Sequence, residues 1–458
     1  MKLNVLWDGV DIWGAMMLRA LTAHNLPFSL AKCAELADGE PLGKQGISVL
    51  LVPGGSAARK AAALGAAGRE AIVRFVEEGG VYMGFCGGAG LALTHEDPAQ
   101  GLGLCPWRRA PYPARFQHLV SGHVLAECPA KGHLSPKAEG LRLRTHFPRG
   151  DGSKGSSSPR EDGLIPLPVW WPGRFAPEEG GDVEVLATCR GPGDDFWVAD
   201  LPLSDVPKNV FEDWRARHGV DVSASFLEGQ PLVIHGRRGK GRYLLSYSHL
   251  ETPESPDANV WFTGLLQKFE ALPRSYSAIF KVTWDWRLDE PYVEDSPLSE
   301  VLHDAIGRSL DLLELGENQG VLFPRTPWLW GWRGGVPGAA CNNVHAALCL
   351  AAALRPSSAY GVSGRHGTWK AQEQPLEELV NRYFDEAEKY FMSAKLAATL
   401  NRTLPEAVDE GALTVQREDV FGQPMQGGGL ADELLGRLDG LICTARLHTG
   451  PWDTSDRW

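Results

Sequence analysis

The sequence predicts an α/β fold, a doubly wound parallel sheet carrying a β-rich insertion, followed by a mainly helical C-terminal region. Three observations predict it. Strand-like and helix-like segments alternate over the first hundred residues, short strand-like runs broken by Gly and Pro fill 115–247, and helical periodicity takes over after about residue 270. Such alternation puts helices on both faces of a parallel sheet and gathers ligands at the C-terminal ends of its strands.

In chain order, the apolar run 3–6 is a strand, 13–24 a helix, 47–52 a buried strand and 57–78 a helix. Residues 81–85 form the third strand, and 86–93 open a helix. The β-rich stretch supplies strands at 122–127, 141–145, 183–188, 196–199, 232–236 and 243–247, with an insertion spanning about 105–235. Within it the polar, Ser/Gly-rich segment 149–162 cannot bury a core and reads as a loop. Farther on, Ser296-Pro297-Leu298 offers a cap and a first-turn proline to a helix running to about residue 315. Amphipathic helices follow at 343–354 and 375–400. Trp284, Trp286 and the run Trp328-Leu329-Trp330-Gly331-Trp332 are expected to be buried against the first domain rather than displayed to a carbohydrate or a partner.

Composition bounds the function classes. With 43% hydrophobic residues among 458, the chain can bury a large core and is expected to hold two domains, 1–270 and 271–458. A formal charge of -12 repels nucleic acid, and no apolar run reaches membrane-spanning length. The N-terminus is expected to enter a strand directly rather than form a signal peptide. Eight cysteines are scattered without pairing spacing, which argues against a disulfide framework and fits a reducing, cytoplasmic location. No cofactor is implied.

The run Val81-Tyr82-Met83-Gly84-Phe85-Cys86-Gly87-Gly88-Ala89-Gly90 brackets one cysteine with glycines where an apolar strand gives way to a helix. A residue forced into so tight a turn is tolerated only when its neighbours lack side chains, and its own side chain then projects above the sheet. At a helix N-terminus the thiol also feels the positive end of the dipole. A cysteine nucleophile needs a base, and Gly239-Lys240-Gly241-Arg242 to His249-Leu250-Glu251 supplies one: a tight turn, a short strand and then His-x-Glu. In extended backbone residues two apart face the same way, so Glu251 can orient the His249 imidazole. A third strand ends in Pro53-Gly54-Gly55, whose loop amides can face a developing oxyanion together with the amide of Gly87.

These residues resemble the class I glutamine amidotransferase-like superfamily and, within it, the amidotransferase-like N-terminal domain of biotin-protein ligases. The likeness rests on Pro53-Gly54-Gly55, the helix before Gly79-Gly80, the Gly84-x-Cys86-x-Gly88 turn, Val169-Trp170-Trp171-Pro172-Gly173 and the Gly239 to Glu251 stretch, and it covers roughly the first 270 residues. It implies a flavodoxin-like sheet, a catalytic triad of Cys86, His249 and Glu251, and oxyanion positions at Gly55 and Gly87. Gly54, Trp170 and Trp171 are candidates to line a binding cleft, although paired aromatics in a strand are ordinarily core residues. Glutaminases of this superfamily often continue the elbow with a Gly-His-Gln run, whereas this chain continues Gly87-Gly88-Ala89-Gly90.

Three further patterns are read as structural. Gly236-Arg237-Arg238-Gly239-Lys240-Gly241-Arg242 resembles a phosphate loop but reads as a basic hairpin turn. His118, His123, Cys128 and His133 recur at a spacing that suits neither a helix face nor a strand face, so no metal site is expected. Cys341, His345 and Cys349 share one helical face with small apolar neighbours, as in a core helix. The expected function is a cysteine hydrolase acting on a small amide or related acyl compound. The alternatives are a non-catalytic binding or scaffold module, with a protein partner on the C-terminal half, and a subunit feeding ammonia to a synthetase.

Overall fold

A computed structural model of the 458-residue chain describes residues 3–38, 42, 46–112, 119–129, 134–136, 163–178, 182–219, 221–271, 283–287, 299–332, 337–353, 366–423 and 427–449. The chain divides into two compact units, one of Met1–Asp8 with Met16–Asp285 and one of Gly9–Ala15 with Trp286–Trp458.

The first unit opens with β1 (Leu3–Trp7), α1 (Ile12–Ala23), β2 (Ser29–Lys32), α2 (Cys33–Asp38), β3 (Val49–Val52), α3 (Ala57–Glu77), β4 (Val81–Phe85) and α4 (Gly87–Ala92). It continues with β5 (Arg108–Arg109), β6 (Val120–Glu127), β7 (Ile165–Trp170), β8 (Phe175–Ala176), β9 (Val183–Pro192), β10 (Trp197–Val198) and β11 (Leu201–Pro202). α5 (Lys208–His218), β12 (Pro231–Arg238), β13 (Gly241–Ser246) and α6 (Pro256–Lys268) complete it.

Five parallel strands in the order β2-β1-β3-β4-β13 make the doubly wound core, with the flavodoxin-like reversal of direction at β1 and β3. Beyond β13 the sheet turns antiparallel through β12, β9 and β6, and β6 pairs in turn with β7 and β10. The strands of the parallel core carry no polar alternation because both faces are covered: every residue of β1, β3 and β4 is buried. On one face Leu50, Val52, Tyr82 and Leu245 from the sheet pack with Leu64, Ile72, Phe75 and Val76 of α3. Each such side chain, taken from water to full burial, contributes about 1.5–3 kcal/mol.

Local chemistry sets the ends of these elements. Ser56 caps α3 by accepting the Arg59 amide, and Gly79, at φ 125°, ends the turn after it. The β12–β13 hairpin closes through Gly239-Lys240, with Gly239 at φ 58° lying on the Glu77 backbone and Arg238 paired to Glu77 at 3.0 Å.

Several expectations change. The helix expected over 57–78 is broken at Gly65, which has φ 59°. Cys86 caps α4 from outside rather than opening it. The strand–helix pair of β2 and α2 and the helices α5 and α6 have no counterpart among the elements expected from sequence, while the expected strand at 141–145 and loop at 149–162 lie outside the described residues.

The second unit contains α7 (Ser299–Asn318), a hairpin of β14 (Leu322–Thr326) and β15 (Leu329–Trp332), α8 (Pro337–Ala353), α9 (His366–Thr403), α10 (Glu410–Phe421) and α11 (Gly429–Thr449). The expected helix start at Ser296 lies outside the described residues. Trp286 and Trp328, each 1% exposed, stack with their rings 6.0 Å apart. On α8, His345 bonds to the Ser309 hydroxyl at 2.9 Å and Cys341 accepts from the Tyr383 hydroxyl at 3.9 Å. Among the described residues no helix is long and apolar enough to cross a membrane.

Candidate functional site

The parallel register brings three strand ends to one rim of the sheet. Val52 of β3 pairs with Gly84 of β4, and Ser246 of β13 pairs with Phe85, so the Pro53-Gly54-Gly55 loop, Cys86 and the segment after Ser246 emerge side by side. The Cys86 amide donates to the Ser246 carbonyl at 2.7 Å, which continues the strand pairing one residue past β4.

At Cys86 the chain reverses sharply, with φ 47° and ψ -104°. A side chain at positive φ costs on the order of 1–3 kcal/mol and persists only where the surroundings enforce it. Here the glycines enforce it. A Cβ at Gly87 would fall 1.9 Å from the Gly55 carbonyl oxygen, one at Gly88 would fall 2.2 Å from the Val52 carbonyl oxygen, and one at Gly84 would fall 2.5 Å from that of Gly88. The Tyr82 hydroxyl also donates to the Gly88 carbonyl at 2.7 Å, fastening the start of α4 to β4. Strand, loop and helix therefore approach more closely than any side chain permits, and the thiol stays partly exposed above the sheet edge. The same packing sets Gly55, at φ 95°, against Gly87, and neither amide donates a hydrogen bond among the described residues. Gly54 is buried within that loop.

His249 and Glu251 are both fully buried, and His249 Nδ1 lies 2.8 Å from Glu251 Oε1. Strand alternation does not bring them together, because β13 ends at Ser246. A turn does, closed by the Thr252 amide on the His249 carbonyl at 3.0 Å and reinforced by the Thr252 hydroxyl at 2.7 Å. Asn259 of α6 secures this turn by donating from Nδ2 to the Leu250 carbonyl at 3.0 Å and the Thr252 carbonyl at 2.8 Å. The Trp284 indole donates to the Glu251 carbonyl at 3.0 Å, and the His249 amide donates to Pro168 of β7 at 3.0 Å. Neither Asn259 nor Trp284 stands out in the sequence as part of the site. Ser255-Pro256, a cap residue followed by a first-turn proline, is the signal that points to α6 and with it Asn259.

Burial acts to lower the His249 pKa. The Glu251 carboxylate, by its charge and hydrogen bond, and then the Cys86 side chain act the other way and prevail, raising it from 6.5 to about 10. A buried imidazolium needs a counter-charge, and the Glu251 carboxylate 2.8 Å away supplies it. The Cys86 sulfur also lies 4.0 Å from the Trp170 carbonyl oxygen. Of the two tryptophans expected to line a cleft, Trp170 is a core residue, 2% exposed, whose indole donates to the Thr252 hydroxyl at 3.2 Å. Trp171 is half-buried and stands at φ 52°, a second strained position close to the elbow.

Burial pushes the thiols of Cys33 and Cys128 up to about 12 and that of Cys189 to about 11. His123 is no metal ligand here. Its Nδ1 lies 2.8 Å from Asp195 Oδ2 and its Nε2 lies 2.9 Å from Ser255 Oγ, while His118 and His133 lie outside the described residues. This Ser-His-Asp chain has the order of a hydrolytic triad. However, Ser255 is only 2% exposed and its hydroxyl also faces the Pro253 carbonyl at 3.2 Å, so the chain ties β6 to the start of α6.

Residues 18–96, which include the Pro53-Gly54-Gly55 loop and the Cys86 elbow, match the family described as biotin-protein ligase, N terminal. No curated protein matches the chain. Among solved structures, similarity extends to a β-galactosidase from Rahnella, with 14% identity over 60% of this chain and a TM-score of 0.33. The chain spans 32% of the length of that enzyme. A ThuA-like protein from Bacteroides uniformis is similar with 14% identity over 60% of this chain and 93% of its own, at a TM-score of 0.35. A GMP synthase subunit from Thermoplasma acidophilum is similar with 11% identity over 59% of this chain and 94% of its own, at 0.33.

Proposed function

We propose that this protein, whose elbow lies in a domain of the biotin-protein ligase N-terminal type, is a cysteine-dependent amidase-type hydrolase acting on a small amide or related acyl compound. One observation carries the reading: a thiol at φ 47° stands at a strand end bonded to Ser246 of the strand that leads to His249, and the His249 Nδ1 is held by a fully buried carboxylate.

In this reading the Cys86 thiolate attacks the carbonyl carbon, and the pair of electrons displaced onto oxygen is met by the amides of Gly55 and Gly87. His249 passes its proton to the leaving nitrogen, the carbon–nitrogen bond breaks, and an acyl thioester remains on Cys86. Water then attacks the thioester, giving its proton to His249, and the carboxylic acid departs as the thiolate reforms. Throughout, Glu251 keeps the ring oriented and stabilises its cationic form. The elbow continues without the Gly-His-Gln run of glutaminases, so glutamine is not the proposed substrate.

An activated ester such as p-nitrophenyl acetate tests this directly. The expected result is a burst of nitrophenolate with an acetyl mass on the Cys86 peptide, both abolished in Cys86→Ala. Turnover that survives Cys86→Ala, or an acetyl group found only elsewhere, overturns the reading and favours a non-catalytic module.

A further inference from the structure

Beside the elbow, three buried polar atoms have no hydrogen-bond partner: Tyr112 Oη, Tyr247 Oη and Arg174 Nε. A buried donor left unsatisfied is destabilising, so three in one place call for an explanation. Their position follows from the chain. Tyr247 directly succeeds Ser246, whose carbonyl binds the Cys86 amide, and it precedes His249 by two residues. Trp170, whose carbonyl faces the thiol, leads through Trp171 and Pro172 to Gly173, where a Cβ would fall 2.2 Å from the Tyr247 ring. The next residue is Arg174, and its guanidinium lies 4.7 Å from the centroid of the Tyr112 ring.

We propose that Tyr112, Tyr247 and Arg174 form a recognition subsite beside Cys86 for a carboxylate carried by the acyl substrate. The inference rests on the hydrolase reading above and names its substrate class, the ω-amido carboxylates.

The chemistry of the donors supports it. Burial pushes both phenols up, so they remain neutral hydrogen-bond donors over the whole working range. The charged groups that act on them are Arg174 and Arg109 together with the Cys86 and Cys105 sulfurs, and no carboxylate is among them. Glu178, the acidic side chain near this strand pair, is held by Arg108 at 3.0 Å. The Arg174 head is fixed by the carbonyls of Phe226 and Pro111, which leaves Nε as a positioned donor. Such a set of donors suits an anion rather than an ammonium group, so a monoamide of a dicarboxylic acid matches it better than an amino acid.

Matched alkylating agents test the subsite without requiring turnover. Iodoacetate and iodoacetamide each form a carbon–sulfur bond with loss of iodide, and only iodoacetate carries a carboxylate. Their rate ratio at Cys86 is expected to exceed the ratio for glutathione by about tenfold, the effect of one or two charge-assisted hydrogen bonds. Tyr112→Phe and Tyr247→Phe, which remove one oxygen each, should return the ratio of the two rates to the glutathione value. Succinamate should protect Cys86 from iodoacetamide, and neutral butyramide and inorganic phosphate should not. Fast labelling by both reagents with no carboxylate preference, or a preference unaffected by either variant, overturns the subsite and leaves the hydrolase reading standing. Protection by phosphate equal to that by succinamate also overturns it, as a general anion site. A Cys86 inert to both reagents sinks both readings together.

Discussion

Replacing Glu251 with Gln removes the charge that contributes most to keeping the His249 ring protonated, while leaving its shape. The imidazole stands at about 10 against an ordinary 6.5. Each pKa unit corresponds to about 1.4 kcal/mol, so a shift of 3.5 (10 minus 6.5) represents on the order of 5 kcal/mol favouring the cation in the folded site. His249 is fully buried, so solvent does little to screen this interaction. The sign for stability follows from a folded pKa that is raised. The contribution is fully present below about pH 6.5 and is lost as pH rises through about 10. Once Glu251 is neutral, its charge no longer opposes the burial that lowers the His249 pKa, and the ring should lose its proton at a lower pH. The ring then no longer supplies a positive charge to the elbow. Iodoacetamide labelling of Cys86, followed by mass spectrometry across pH, should fall at least about tenfold at neutral pH in Glu251→Gln. Its alkaline loss of stability should also begin at a lower pH than in the parent. A labelling profile identical in parent and variant refutes the idea that Glu251 sets the charge of the pair.

Other outcomes follow from the same geometry. Cys86→Gly relieves the positive-φ strain and should raise stability by about 1 kcal/mol in denaturant unfolding, opposite in sign to most substitutions. Gly88→Ala places a methyl 2.2 Å from the Val52 carbonyl oxygen, so it should lower the melting temperature and slow Cys86 labelling together. Asn259→Ala leaves the Leu250 and Thr252 carbonyls without their donor, with an expected cost of about 1–3 kcal/mol and a looser His249 turn, seen as slower labelling of Cys86. Ser255→Ala should cost about 1 kcal/mol of stability and leave Cys86 labelling unchanged, and a loss of labelling would place the His123 chain in the chemistry.

The elbow is legible in the sequence because its requirement is local. Glycines at 84, 87 and 88 around one cysteine can be read from spacing alone, and each of them meets a close carbonyl or backbone neighbour in the fold. The parallel core is legible from alternation, since β1, β3 and β4 are buried throughout and separated by helical segments, whereas the edge strand β2 carries no such signal. His249 and Glu251 are expected near each other through strand alternation, whereas the chain uses a turn closed three residues on, which only tertiary hydrogen bonds from Asn259 and Trp284 define. Tyr112, Arg174 and Tyr247 lie as many as 135 residues apart (247 minus 112), and no spacing rule joins them. The same holds for His123, Asp195 and Ser255, which come from three distant segments. Aromatic content shows that Trp286 and Trp328 will be buried, but their stack on one another has no signal in the spacing.

The charge of one ring carries the mechanism. Selective nitrogen-15 labelling of the 13 histidines, with the His249 signal identified by its loss in His249→Gln, reports that charge by NMR. Both ring nitrogens of His249 should remain protonated at about pH 8, where an ordinary histidine is neutral, and titrate only near 10. A His249 ring already neutral at about pH 7 would contradict the Cys86–His249–Glu251 charge arrangement.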